Sequence, residues 1–174
     1  MHYKSETMVF HSFYFCLASF SVPFTCKPAK TVGHSTGKRS HIMKTAVQLL
    51  QMYLESIQNP RAAAALFAEK GAIEIPYLQS LGIKPRAEGP GEIEQFISSL
   101  LAKVPTFAFK RVRFLIDTPD QAFAEYDVEA QVPATGRIYR QSYAGRLVAH
   151  EGKILLLRES MDTLAAANAF APLN

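Results

Sequence analysis

Residues 43–58 read MKTAVQLLQMYLESIQ, and Val47, Leu50, Leu54 and Ile57 recur there at spacings of three and four. That period draws one apolar stripe down a helix. Asn59-Pro60 supplies a cap and a proline for a first helical position, so a second helix is predicted to start there. RAAAALFAEKG continues it with strong helix formers, and Gly71 reads as its stop. AIEIPY (72–77) predicts a short strand that ends near Pro76. After a polar loop, EGPGEIEQFISSLLAKV sets Ile93, Phe96, Ile97, Leu100 and Leu101 on one face of a third helix.

Past residue 106 the period changes to two. FAFKRVRFLI (107–116), QAFAEYDVEAQV (121–132), RIYRQSYAGRLVA (137–149) and KILLLRESM (153–161) read as strands separated by DTPD, PATG and HEG. Turn residues at this spacing, with no helix between them, imply antiparallel hairpins. DTLAAANAFAPLN then reads as a short helix capped by Asp162 or Thr163. The order α-α-β-α-β-β-β-β predicts an α+β domain: three N-terminal helices packed on a curved, mostly antiparallel sheet, a cone-shaped α+β barrel of cystatin-like topology. Such a cone encloses a pocket sized for a small molecule.

Charge separates this domain from what precedes it. Residues 1–42 hold five of the 19 basic side chains and one of the 15 acidic ones, leaving 14 of each from Met43 onward. The basic balance therefore belongs to the leader, and the domain presents no electrostatic case for nucleic acid. MVFHSFYFCLASFSVPF (8–24) is apolar, but it is interrupted by His11 and serines, lacks a clean cleavage site and is too short for a convincing membrane span. Residues 1–42 are read as a disordered leader or an over-extended start, with 43–174 as the domain. Secretion through residues 1–26 is the weaker alternative to a cytoplasmic location.

Both cysteines (Cys16, Cys26) and four of the five histidines lie in that leader, and the domain retains only His150, in the turn AHEGK. A Cys- or His-ligated metal centre in the domain is thereby excluded, and a His-dependent nucleophile site is disfavoured. Acid–base chemistry there rests on carboxylates, Tyr, Lys or Arg, with no metal or cofactor called for. Glu159 is the first candidate. Alternation puts Leu155, Leu157, Glu159 and Met161 on one strand face, with Ile154, Leu156, Arg158 and Ser160 on the other. Both faces begin apolar, which predicts a central strand covered on both sides. A carboxylate among leucines is desolvated and its pKa rises. The structural alternative is an ion pair of Glu159 with an Arg. In AEYDVEA, periodicity alone favours Glu125, Asp127 and Glu129 as a solvated acidic face.

YLESIQN…ALFAEKGAIEIP, GPGEIEQF, TGRIYRQSY and GKILLLRESMD, taken in order, resemble the SnoaL-like branch of the nuclear transport factor 2-like superfamily over about residues 44–172. The closing segment is similar to the family's GKI…REYxD. This resemblance implies the conical α+β fold, a homodimer, and a pocket in which Glu159 works. Its Glu-x-Asp pattern, shared with the phenazine A/B proteins, turns Glu125 and Asp127 toward the cavity. Its Tyr-x-Asn-x-Tyr pattern does the same for Tyr139, Gln141 and Tyr143. Tyr53 matches a ketosteroid isomerase tyrosine that donates a hydrogen bond to an oxyanion. Phe96, and Leu157 beside Glu159, complete the expected ligand wall.

Departures from the relatives narrow the chemistry. Ile75 stands where ketosteroid isomerase has its basic Asp. Glu125 replaces the Arg of limonene epoxide hydrolase, and the third helix lacks the phenazine histidine. Steroid isomerisation by the known mechanism, epoxide opening and phenazine condensation are therefore unsupported. What remains is a cofactor-independent isomerase, cyclase or dehydratase using carboxylate acid–base chemistry on a small hydrophobic carbonyl compound. The alternative is a non-catalytic ligand-binding or dimerisation module of the same fold.

Overall fold

The computed structural model describes residues 43–172, so the expectations for residues 1–42 lie outside it. Helix α1 (Ala46–Glu55) opens on a capping box: Thr45 Oγ1 accepts from Gln48 N, and Gln48 Oε1 accepts from Thr45 N. Its buried side is Ala46, Leu49, Leu50, Tyr53 and Leu54. α2 (Pro60–Ala64) starts at Pro60 under an Asn59 cap, as predicted, but spans only five residues.

The chain has already entered β1 (Phe67–Glu74) where the helix was expected to continue. Gly71 is not a helix stop. It lies at an irregularity where β1 runs parallel to β6 (Lys153–Met161), and a Cβ there would overlap the Ile154 carbonyl oxygen and crowd Ala68 N at 2.9 Å. Close backbone approach, not termination, requires the glycine. After β1 a 3-10 turn (Pro76–Leu81) leads to β2 (Arg86–Glu88), a three-residue strand in the segment read as loop. β2 pairs with β1, and Ile75 N donates to Pro85 O at 2.8 Å.

Helix α3 (Gly89–Lys103) buries Ile93 and Ile97, with Phe96, Leu100 and Leu101 half-buried beside them. β3 (Phe109–Asp117), β4 (Gln121–Gln131), β5 (Ile138–His150) and β6 then run as an antiparallel meander, close to the predicted strands. The six strands lie in the order β2-β1-β6-β5-β4-β3, with only the β1–β6 pair parallel, in a curved sheet that does not close. α4 (Thr163–Phe170) follows, with Asp162 as its cap accepting from Leu164 N and Ala165 N.

Side-chain alternation assigns the two faces. On β4, Ala122, Ala124, Tyr126, Val128 and Ala130 are buried. On β5 the inner row is Tyr139, Gln141, Tyr143, Gly145, Leu147 and Ala149. β6 breaks the simple pattern, because its pairing with β5 shifts by one residue between Leu156↔Val148 and Ile154↔Ala149. Leu155 is the extra residue. Ile154 and Leu157 consequently both point inward, whereas Leu155 is 39% exposed. The strand is central, but its outer face is not covered as the three leucines had implied. Among the described residues, no helix is long and apolar enough to cross a membrane.

Candidate active site

Between the inner sheet face and the helices lies a cavity of about 420 Å³. Tyr53 reaches it from α1, Phe96 from α3, Phe109 from β3, Tyr139 and Tyr143 from β5, and Phe170 from α4. Leu78, Leu81 and Ile83 close one side from the 3-10 turn and the residues after it. Among the described residues, Glu159 of β6 is the one carboxylate in the lining and Lys103, in the last turn of α3, the one cation.

Glu159 is 2% exposed, and the phenol of Tyr126 donates a short hydrogen bond to its Oε1. The Arg–Glu pair considered from sequence does not form, because alternation sends Arg158 to the opposite face, where it meets Glu74 Oε2 at 3.3 Å. Burial pushes the Glu159 carboxyl up from 4.5 to about 7, against the opposing effect of the Tyr126 bond, which favours the ionised form. Every fully enclosed side-chain nitrogen and oxygen among the described residues has a hydrogen-bond partner. Glu159 Oε2 and the Tyr53 hydroxyl have no partner among the described residues, and both are open to the cavity that their residues line.

The remaining polar groups of the cavity are phenols. Tyr139 and Tyr143 share a hydrogen bond of 2.7 Å between hydroxyls, which leaves one of their two protons for another acceptor. Burial raises Tyr53, Tyr126 and Tyr143 well above the ordinary phenol range, and the Glu159 charge adds to this in each case. They remain protonated and act as donors. Among the described residues no group of three or more His, Cys, Asp or Glu side chains is placed to hold a metal ion.

Tyr53, Phe96, Tyr139, Tyr143 and Glu159 thus converge on one cavity. Four other expected residues are elsewhere. Glu125 and Asp127 do not turn toward the cavity, since β4 points Tyr126 inward and its acids outward. There Glu125 meets Arg113 Nη2 at 2.5 Å, and Asp127 meets Arg111 Nε at 2.8 Å and Ser142 Oγ at 2.6 Å. Strand periodicity was the right guide, and the family's Glu-x-Asp register does not carry over. Gln141 is buried but not in the lining: its amide donates to Asp162 O at 2.7 Å and accepts from Asp162 N at 2.9 Å, fastening the start of α4. Leu157 is fully buried in the core rather than in the cavity wall. The residue that sequence reasoning missed is Tyr126, although a lone tyrosine among Ala122, Ala124 and Val128 on an apolar strand face was a visible signal.

This architecture, helices on the inner face of a curved mixed sheet with a cavity between, defines a nuclear transport factor 2-like, ketosteroid isomerase-like fold. The SnoaL-like domain model matches residues 53–157, and the chain belongs to that family. Solved structures agree on the fold. A candidate isomerase from Bacillus subtilis superposes with a TM-score of 0.66 at 23% identity, covering 74% of this chain and 94% of that one. A phenazine biosynthesis-related protein from Pseudomonas aeruginosa gives 0.58 at 19%, covering 74% and 91%. A candidate polyketide cyclase from Xanthomonas campestris gives 0.62 at 17%, covering 71% and 95%. No curated protein matches the chain.

Proposed function

We propose that the protein is a cofactor-independent enzyme that moves a proton on a small hydrophobic carbonyl compound, in an isomerisation, cyclisation or dehydration. The observation that carries this reading is Glu159: a carboxyl 2% exposed, held at one oxygen by Tyr126, open to the cavity at the other, and raised to about 7. A group with that midpoint is divided between acid and base near neutral pH, the condition that favours general acid–base catalysis. Burying it where it ionises lowers stability without improving packing, and such departures concentrate at working sites.

In the proposed step, the Glu159 carboxylate accepts a proton from the carbon next to the substrate carbonyl. The C–H electron pair moves into a new C=C bond, and the carbonyl π pair moves onto oxygen. The Tyr53 hydroxyl donates a hydrogen bond to that oxygen. In a β,γ-unsaturated carbonyl substrate the oxygen pair then re-forms C=O, the new C=C pair moves to the α,β bond, and the β,γ π pair takes the proton from the Glu159 carboxylic acid at the γ carbon, which restores the carboxylate. The aromatic lining excludes water and orients the substrate body. The non-catalytic module is disfavoured because it gives no reason for an unbridged carboxyl beside open space. The homodimer belongs to the same proposal, on the family resemblance. So does a reducing, cytoplasmic location, supported by the lack of cysteine from Met43 onward.

Deuterium exchange is the direct test. The protein is incubated in D2O, without added cofactor, with a panel of enolisable cyclic ketones, and loss of α-proton signal is followed by NMR. Enzyme-dependent exchange that Glu159→Gln abolishes supports the reading. Ketones that bind the cavity yet exchange no faster than in buffer would refute it.

A further inference from the structure

The phenol that grips Glu159 reaches it across an intervening strand. Tyr126 stands on β4 and Glu159 on β6, with β5 between them. Gly145 of β5 pairs with Glu159 on one side and Ala124 on the other, and Tyr126 pairs with Tyr143 two residues along. A Cβ added to Gly145 would overlap the Tyr126 hydroxyl oxygen and lie 2.9 Å from its Cζ and 3.0 Å from its Cε1. The three nearest atoms all belong to that one ring. Gly145 is absent from the glycines with positive φ, so its backbone conformation does not demand glycine. What it supplies is space.

Neither Gly145 nor Tyr126 lines the cavity, whereas Glu159 does. A ligand therefore meets the carboxyl and not the pair behind it. We propose that Gly145 and Tyr126 are positioning residues for Glu159: the bare backbone of β5 lets the phenol lie over that strand and hold Oε1 from behind, so that Oε2 is the atom presented to the ligand. This rests on the reading of Glu159 as the working acid–base. The titratable and charged groups around the carboxyl are Tyr53 from α1, Tyr126 from β4, Tyr139 and Tyr143 from β5, and Lys103 from α3 at the cavity wall. Tyr126 alone among them hydrogen-bonds the carboxyl.

The test is carbon NMR of the full chain carrying glutamate labelled at Cδ, with the Glu159 signal identified by its loss in Glu159→Gln. Tyr126→Phe removes a donor that favours the ionised form, so the carboxyl midpoint is expected to rise by about one pH unit. Gly145→Ala displaces the same phenol and is expected to shift the midpoint in the same direction by a similar amount. In a Tyr126→Val background, with no ring to displace, Gly145→Ala is expected to move nothing further. A folded Gly145→Ala protein with the wild-type midpoint would overturn the inference, as would an equal shift in the Tyr126→Val background. Where Gly145→Ala alone does not fold, recovery of folding by added Tyr126→Val supports the inference and failure to recover overturns it. An ordinary carboxyl midpoint in the wild type would instead count against Glu159 as the acid–base, while the comparison between variants still decides the role of Gly145.

Discussion

Replacing Glu159 by Gln should stabilise the protein, and only above a particular pH. The carboxyl titrates at about 7 in the folded chain against 4.5 as its ordinary value. Because the folded-state pKa is raised, the folded state holds the proton more tightly than the unfolded one. Its contribution to stability is fully present below 4.5, declines as pH rises, and is lost above about 7. At about 1.4 kcal/mol per unit, the interval corresponds to about 3 kcal/mol, and the 2% exposure leaves little solvent screening to discount. Gln keeps an oxygen to accept from Tyr126 and never ionises. For a chain of 174 residues, 1 kcal/mol is worth roughly 3 °C in Tm. The Tm difference, variant minus wild type, should therefore be flat below pH 4.5, climb through neutrality and level off at about 10 °C by about pH 8. Taking the difference cancels every group the two proteins share. Parallel Tm profiles from about pH 4 to about pH 8 would show that the carboxyl is not desolvated in the folded state, and the case for Glu159 would collapse with it.

Tyr53→Phe removes a hydroxyl with no partner among the described residues, so thermal unfolding should change by less than about 0.5 kcal/mol while proton exchange on a bound ketone slows; a much larger stability loss would mean that the hydroxyl is bonded within the protein. Gln141→Ala frees both backbone groups of Asp162 and should cost about 2 kcal/mol, with hydrogen exchange quickening first in α4; unchanged protection of α4 would refute the fastening role. Glu125→Gln and Asp127→Asn alter the outer sheet face and should leave the Glu159 midpoint in place, so movement of that midpoint in either variant would count against the assignment of faces. Gly71→Ala forces a methyl against the β6 backbone and should destabilise by about 3 kcal/mol or more in denaturant unfolding, whereas a near-neutral result would mean that the β1–β6 junction yields easily.

What the sequence made legible follows from how local each signal is. The strands of the meander were readable almost to the residue because one face of each is buried and the other solvated, so alternation encodes the fold directly. The same alternation correctly turned Glu125 and Asp127 outward before the resemblance argued otherwise. α1 and α3 were readable for the corresponding reason at the helical period. The misread elements of the fold all involve backbone meeting backbone across a distance in sequence. AEKG has good helix formers and a glycine, and nothing local reveals that Gly71 lies against Ile154, more than 80 residues on. β2 is three residues long and is held by its pairing with β1, so periodicity had nothing to register. The bulge at Leu155 belongs to the β5–β6 register, and a single strand read alone cannot announce it. The site divides along the same line. Glu159 could be singled out because a carboxylate among leucines violates a local rule. Its partner could not, since the Tyr126–Glu159 bond needs three strands in register and a glycine in the middle one. A glycine inside a strand is the residue-level trace of such a crossing. Gly71 and Gly145 are both of this kind: one admits a neighbouring backbone, the other a side chain that sets how an acid is held.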